Sequence, residues 1–575
     1  MQNYNSKFKI FLFLFLFSAF YFLTFNFAYA DFLNQTAPFS INPEYQYSSQ
    51  SSVSATLKKI SDKAYWYVSD DYWRELSESQ KNTFLQKMDE LAVEFDTRIY
   101  PVETSFWGSE WNPGIDNDSR ITVLITKLID RAGGYFDTSH EYSKSQVPES
   151  NEREMVFINA TSLFNGRAKI FLAHEFQHLI DFYQKGKLRN AEDDVWLNEL
   201  RSEHSVKLLG YDENFDNSNL ERRLYAFSQS PSEPLAEWKN LGPDYGAITL
   251  FSYYLTDHYG EKILTDSLKS AKAGIESINE VLSLDGFSET FSDVFSNWTI
   301  ASVLNDQSAD PKFAYKSGHL VNSRISPNQA YGISGVLSAV SISNSVKDWQ
   351  PVWYEFNTPV SSGGGLNLKI DFSADSGTNF RVPYVAYKIN GQKEIGFISV
   401  SGTKGVFFLK NFGTEAYKAV LIPANHSKVS GFTEEDPASS FSIKVQLTAE
   451  FQEVAPTPAP QTPSVALSIQ DLLDQITALQ SQIVKLKQEV GTEPALPAAV
   501  GLLARNLYVG SAGDDVRWLQ DFLVKEGVYP EARITGYFGS LTRSAVVQFQ
   551  QKYGIFPQIG YVGLKTRSKI QELTQ

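Results

Sequence analysis

The sequence contains no cysteine. That excludes a disulfide framework and any thiolate-held zinc site, so a metal centre here must use nitrogen and oxygen donors. Basic residues are outnumbered: 51 Lys and Arg against 66 Asp and Glu leave a formal charge of −15. The basic footprint of a nucleic-acid-binding chain is therefore missing. Aromatic residues, by contrast, make up 14% of the 575 positions. A chain of this length and apolar content is expected to form three or four packed domains.

One long apolar run is present. Lys7 and Lys9 precede Ile10 to Phe27, and Ala28-Tyr29-Ala30 offers a small-x-small cleavage pattern. Residues 1–30 read as a signal peptide, with the mature chain starting at Asp31; an uncleaved anchor is the alternative. Either way, the bulk of the chain is expected outside the cytoplasm, secreted or associated with the cell wall.

The chemistry is concentrated in Ala173-His174-Glu175-Phe176-Gln177-His178-Leu179-Ile180. On a helix, side chains four apart share a face, so His174 and His178 can converge on one point. Two imidazoles with an adjacent glutamate are the HExxH pattern: the histidines bind Zn²⁺ and Glu175 acts as general base on a water. A core helix with histidines four apart by chance is the plain alternative. Ile170, Phe171, Ala173, Leu179, Ile180 and Phe182 give the motif the helical context it requires.

Downstream lies Trp196-Leu197-Asn198-Glu199-Leu200-Arg201-Ser202-Glu203. Asn-Glu-x-x-Ser-Glu resembles the corresponding segment of thermolysin-type gluzincins. Through His-Glu-Phe-x-His and Trp-Leu-Asn-Glu the chain is more similar to the hyicolysin-like secreted bacterial metallopeptidases, loosely over roughly residues 60–310. The resemblance implies an α+β zincin-like catalytic domain over 61–315, with Glu199 as third zinc ligand. It also implies that Glu203 hydrogen-bonds the free ring nitrogen of a zinc histidine. Solvated surface carboxylates are the plain reading of both glutamates.

Around this centre, residues 31–60 are polar with little periodicity and read as a leader or pro-segment. Ala64–Val68 reads as a strand, Asp71–Phe95 as helix, and Arg98–Val102, Arg120–Thr126 and Glu154–Asn159 as strands. Asp116-Asn117-Asp118 is carboxylate-rich, which leaves Ca²⁺ open as a ligand, but a tight turn is the preferred reading. Either Glu154–Asn159 or Gly133–Phe136 is expected to line a substrate cleft, where a peptide would add as a strand. Tyr245, just before a helical run at Ala247–His258, is the preferred oxyanion donor, with aromatic packing as the alternative. His204 and His258 read as structural.

From 325 to 450 the periodicity becomes two, at Trp353–Phe356, Leu366–Phe372, Val406–Leu409 and Phe441–Leu447, which predicts an antiparallel β-sandwich. A Pro-rich linker follows over 452–467. In 468–490, Ile469, Leu472, Ile476, Leu479, Ile483, Leu486 and Val490 alternate at heptad spacing. They predict a short coiled-coil helix, either a parallel homodimer contact or a lone spacer. A second linker spans 491–504.

Residues 505–575 carry Val509-Gly-Ser-Ala-Gly-Asp-Asp-Val-Arg-Trp-Leu-Gln and Thr535-Gly-Tyr-Phe-Gly-Ser-Leu-Thr-Arg. They resemble the small helical peptidoglycan-binding domain of bacterial wall hydrolases. Gly536-Tyr-Phe-Gly539-x-x-Thr542-Arg543 recurs as Gly560-Tyr-Val-Gly563-x-x-Thr566-Arg567. Tyr537, Arg543 and Tyr561 are the candidate ligand contacts. The sequence thus predicts an exported zinc endopeptidase at the cell wall, acting on proteins or peptides. A peptidoglycan cross-bridge peptidase and a non-enzymatic surface adhesin are the alternatives.

Overall fold

The computed structural model describes residues 30–449 apart from 48–49, 336–337, 362–364 and 434–435, and residues 505–574 apart from 506, 508–510, 512, 530–533 and 556–559. The signal run, both linkers and the 468–490 heptads lie outside the described residues, so the coiled-coil and homodimer expectations are not addressed. The described chain is multidomain, divided into two units.

The first unit is built on a six-stranded sheet. Its strands are β1 (Thr36–Ser40), β2 (Ser52–Ile60), β3 (Ala64–Ser69), β4 (Ile121–Thr126), β5 (Gly134–Phe136) and β6 (Met155–Asn159), ordered β1-β2-β3-β4-β6-β5. β3, β4 and β6 run parallel, whereas β1, β2 and β5 join antiparallel. β3, β4 and β6 are buried along their whole length, as expected for central strands covered on both faces. Residues 31–60, expected as a leader or pro-segment, supply two strands of this sheet. In β2 the chain alternates, with Val53, Ala55 and Leu57 buried and Ser52 and Ser54 exposed, the signature of a half-buried strand. Asp31 pairs with Arg153 at 3.1 Å, which ties the start of the segment to the loop just before β6.

After β3 come α1 (Asp70–Glu75) and α2 (Glu78–Glu94). The predicted single helix is broken at Leu76–Ser77 because Ser77 caps α2 in a reciprocal box with Gln80. Arg98–Val102, expected as a strand, is helical: a wide π turn over Phe95–Ile99 runs into α3 (Tyr100–Trp107). Pro101 falls in the first turn of α3, where its missing N–H costs nothing. Phe95 and Ile99 are buried, and Phe95 and Tyr100 meet Phe176 at ring distances of 5.1 and 5.5 Å. Helical spacing buries that face, and packing overrides the local β propensity.

The remaining helices are α4 (Ala168–Asp181), α5 (Val195–Leu208), α6 (Asn219–Gln229), α7 (Gly242–Tyr259), α8 (Lys262–Lys269), α9 (Gly274–Leu284) and α10 (Phe291–Leu304). This unit does not stop near 315. It reaches Ser326 and takes in Val346–Val352 and Ala424–Ala438 from the expected sandwich region. Trp349 is buried there, with its ring 4.9 Å from Phe291, 5.3 Å from Phe295 and 4.4 Å from His426. Its carbonyl accepts from Leu235 N–H at 3.0 Å.

In the second unit the strands of 327–448 form two layers. One holds Gln329–Gly332, Tyr354–Asn357, Ala416–Leu421, Pro383–Lys388 and Lys393–Phe397; the other holds Ala339–Val346, Ser439–Thr448, Leu366–Ala374, Lys404–Phe412 and Val400–Ser401. A single pair, Phe412 with Ala416, joins the layers at a corner, so all ten strands share one hydrogen-bonded network. That pair and Gln329–Gly332 with Tyr354–Asn357 are parallel, a departure from a purely antiparallel sandwich. Tyr384 against Phe407, at 4.4 Å, packs one layer on the other.

The C-terminal domain has three helices, α11 (Asp514–Lys525), α12 (Ser540–Lys552) and α13 (Leu564–Thr574). Their core gathers Leu507, Val516, Leu519, Phe522, Phe538, Val546, Phe549, Val562 and Ile570.

Candidate functional site

α4 lies against β5 and β6 with Leu172, Ala173, Phe176, Leu179 and Ile180 buried. Its continuation, a π turn over Phe182–Lys187, is pinned by Lys185, which donates to the carbonyls of Ser267 at 2.8 Å and Ser270 at 3.1 Å. The C-terminal end of the helix is therefore held in place. His174 and His178 project from it toward α5.

Three donor atoms meet at one point. His174 Nε2 is 3.1 Å from Glu199 Oε2, His178 Nε2 is 3.2 Å from His174 Nε2, and His178 Nε2 is 3.7 Å from Glu199 Oε2. A tetrahedral zinc with bonds of about 2.05 Å needs donor edges of about 3.3 Å. The three side chains fit that ion, and among the described residues no other group of three ligating side chains comes as close together.

The outward ring nitrogens are also engaged. His178 Nδ1 donates to Asn198 Oδ1 at 2.5 Å, and His174 Nδ1 faces Glu203 Oε1 at 3.3 Å. Placing both protons on Nδ1 leaves both Nε2 lone pairs facing the centre. Glu203 is buried and clamped: Arg223 donates to it twice, at 2.7 and 2.8 Å, Asn219 at 2.9 Å and Thr249 at 3.2 Å. Burial opposes its ionisation, but Arg223 and His174 outweigh that and hold its carboxyl well below the usual range. Asn198 is held by Asp181 at 3.1 Å, and the fully buried Arg201 ties Asp181 at 3.3 Å to Asp193 at 2.6 Å. Both glutamates are thus built into the site, not spread over a solvated face.

Burial likewise opposes charge on Glu199, but His178 and His174 prevail and lower it to about 2. Glu175 behaves oppositely: burial pushes it above the ordinary carboxylate range, with the two histidines only partly offsetting. β5 runs along Glu175. A Cβ at Gly134 would lie 2.8 Å from Glu175 Cγ and 2.7 Å from the Phe157 carbonyl, so only glycine permits that approach. Of the two expected cleft walls, β6 is interior to the sheet and β5 is its edge.

Tyr245, in the first turn of α7, lies beside the centre with its ring 6.2 Å from that of His174 and the Arg223 guanidinium 4.3 Å from its face. Its hydroxyl donates to Asn240 Oδ1 at 2.9 Å. Sequence reasoning missed a second phenol, Tyr45, because it falls in the presumed leader. Tyr45 stacks on Tyr135 at 4.7 Å, next to Gly134, and its hydroxyl is raised by burial and then by Glu175 and Glu199. His204 bonds Ser252 at 2.9 Å and His258 bonds the Ala314 carbonyl at 2.9 Å, both away from the centre. Asp116–Asp118 forms a turn, with Asp118 N–H donating to Asp116 at 2.8 Å.

In the C-terminal domain the repeated motif is held by two buried glutamines. Gln520 accepts from Gly536 N–H at 2.9 Å and donates to the Tyr537 carbonyl and Thr542 Oγ1, both at 2.8 Å. Gln550 repeats this with Gly560 N–H at 2.9 Å, the Tyr561 carbonyl at 2.8 Å and Thr566 Oγ1 at 3.0 Å. Gly536 and Gly560 sit at φ of 79° and 77°, which favours glycine. Residues 512–571 match the peptidoglycan binding domain family (PG_binding_1). The chain carries a peptidoglycan-binding domain. Within the peptidoglycan-binding domain, Tyr537 is 53% exposed, whereas Arg543 is packed so that a Cβ at Gly560 would lie 2.3 Å from its Cγ.

A search of the curated proteins gives no match. Similar solved structures include the pre-peptidase C-terminal domain of collagenase from Bacillus anthracis, 12% identical, covering 22% of this chain and all of that one (TM-score 0.16). Another is the periplasmic lysozyme inhibitor PliG of Aeromonas hydrophila, 8% identical, covering 21% of this chain and 96% of that one (TM-score 0.15). TM-scores this low establish no shared fold.

Proposed function

We propose that this chain is an exported zinc-dependent endopeptidase held at the bacterial wall by its peptidoglycan-binding domain. The observation that carries the reading is the convergence of His174 Nε2, His178 Nε2 and Glu199 Oε2 beside the buried Glu175, with both outward ring nitrogens already engaged. The resemblance to thermolysin-type gluzincins, in a zincin-like catalytic domain, supports the same division of roles. Zinc at this point would supply Lewis-acid polarisation of the scissile carbonyl and lower the pKa of a water toward 7.

The protein's own groups do the rest. Glu175, raised above the usual carboxylate range by burial and partly offset by the two histidines, takes the proton of the attacking water and delivers it to the leaving amine. Glu203, held by Arg223, Asn219 and Thr249, fixes the tautomer and ring plane of His174. The free edge of β5 lets a substrate strand pair beside Glu175. Tyr245 and Tyr45 flank the centre as phenol donors for the developing oxyanion; Tyr245 must first leave Asn240.

Glu175→Gln is expected to retain zinc while losing about 10²–10⁴-fold in turnover. Casein cleavage together with metal content by mass spectrometry reads both; full activity with zinc retained would contradict the role of Glu175. The peptidoglycan-binding domain favours one second reading, in which the substrate is the peptide cross-bridge of the wall itself. Release of soluble muropeptides from purified sacculi, without casein cleavage, would select it.

A further inference from the structure

Residues 230–241 join α6 to α7 without a helix or strand of their own, and they supply the surroundings of Tyr245. The Trp238 ring meets the Tyr245 ring edge-on at 4.8 Å, and Asn240 Oδ1 accepts from the Tyr245 hydroxyl at 2.9 Å. Asp244 closes the loop onto the helix by accepting from Lys239 N–H at 3.2 Å and Leu241 N–H at 2.7 Å. The place of the phenol is therefore set by this loop as well as by α7.

A connecting loop moves unless groups outside it fix it. Here the fixing groups come from far along the chain, in Val346–Val352, which belongs to the first unit. Lys347 Nζ pairs with Glu237 Oε1 at 2.6 Å, Gln350 Nε2 donates to the Ser232 carbonyl at 2.9 Å, and the Trp349 carbonyl accepts from Leu235 N–H at 3.0 Å. Glu237, next to Trp238, is 3% exposed. A carboxylate buried so deeply needs a cation at close range. Lys239 stands farther off, 3.6 Å from the same oxygen, and makes its shorter pair with Glu233 at 3.0 Å. Lys347 is thus the nearer counter-charge to the residue that anchors Trp238.

We propose that Lys347, through its pair with Glu237, is a positioning residue for Tyr245. It fixes residues 237–240, and with them the ring edge and the acceptor that place the phenol beside the zinc centre. This inference rests on the zinc-peptidase reading, in which Tyr245 donates to the oxyanion. A donor of that kind acts in the transition state, so misplacing it lowers kcat and leaves KM nearly unchanged.

The test uses the whole mature chain with zinc bound. Lys347→Met removes the ammonium and keeps the apolar stem, whereas Lys347→Arg keeps the charge. Lys347→Met is expected to lower kcat for a peptide substrate by about 10-fold with KM and zinc content kept. Lys347→Arg should recover most of the loss. In a Tyr245→Phe background, Lys347→Met should cost nothing further, because the group it positions is gone. Equal losses in the two backgrounds, or no loss in the chain that keeps Tyr245, would overturn the proposal.

A second readout needs no turnover. In chains carrying 3-fluorotyrosine, the fluorine resonance absent from Tyr245→Phe belongs to Tyr245. It should shift or broaden in Lys347→Met and in Glu237→Gln, and return in Lys347→Arg. If the wild-type chain cleaves no peptide, the zinc reading falls while the fluorine signal still decides the positioning. A Tyr245 resonance unmoved in both variants would overturn it.

Discussion

At the scale of single residues, the site works by pairing each charge with a fixed partner. Glu203 makes the point: four donors surround it, and its remaining role is to face His174 Nδ1 at 3.3 Å. Glu203→Gln keeps the shape but removes the carboxylate charge that holds a proton on His174 Nδ1, and leaves the Arg223 guanidinium buried without its counter-ion. Zinc affinity is expected to fall about 10–100-fold; a competitive chelator titration that leaves affinity unchanged would contradict this. His174, His178 and Glu175 were legible because a helix makes four-residue spacing into a shared face without any tertiary information. Glu199 and Glu203 were legible only through resemblance. Arg223, Thr249 and Tyr45 were not legible, because their places by the site come from chain closures that no local pattern records.

At the scale of elements, tertiary packing overrides what local composition suggests. Residues 31–60 look like a leader because they are polar, yet the three alternating apolar positions of β2 are enough to hold it in the sheet between β1 and β3. Arg98–Val102 looks like a strand because it carries Ile, Tyr and Val, yet Phe176 offers a helix face on which Phe95 and Tyr100 pack. The boundary near 315 fails for a related reason. Val346–Val352 and Ala424–Ala438 belong to the first unit because Trp349 fills a hole among α10 and its neighbours, lined by Phe291, Phe295 and His426. Trp349→Ala is expected to destabilise the first unit by about 3–5 kcal/mol. Denaturant unfolding followed by circular dichroism measures it; a loss below about 1 kcal/mol would show that the aromatic cluster is incidental.

At the scale of the whole molecule, a wall-binding domain and a candidate hydrolytic centre share one acidic, cysteine-free chain. Their jobs should separate. Deleting residues 512–571 is expected to abolish co-sedimentation with purified sacculi while leaving cleavage of soluble casein unchanged. Loss of casein cleavage on deletion would mean that the wall-binding domain also serves the centre.

The central claim is that His174, His178 and Glu199 hold a catalytic zinc. The most direct measurement is metal content of the purified mature chain, taken with peptide-bond cleavage before and after chelation and after zinc is returned. The account predicts about one zinc per chain, with cleavage lost on chelation and recovered on adding zinc. A chain that binds no zinc, or one whose cleavage survives its removal, would contradict it.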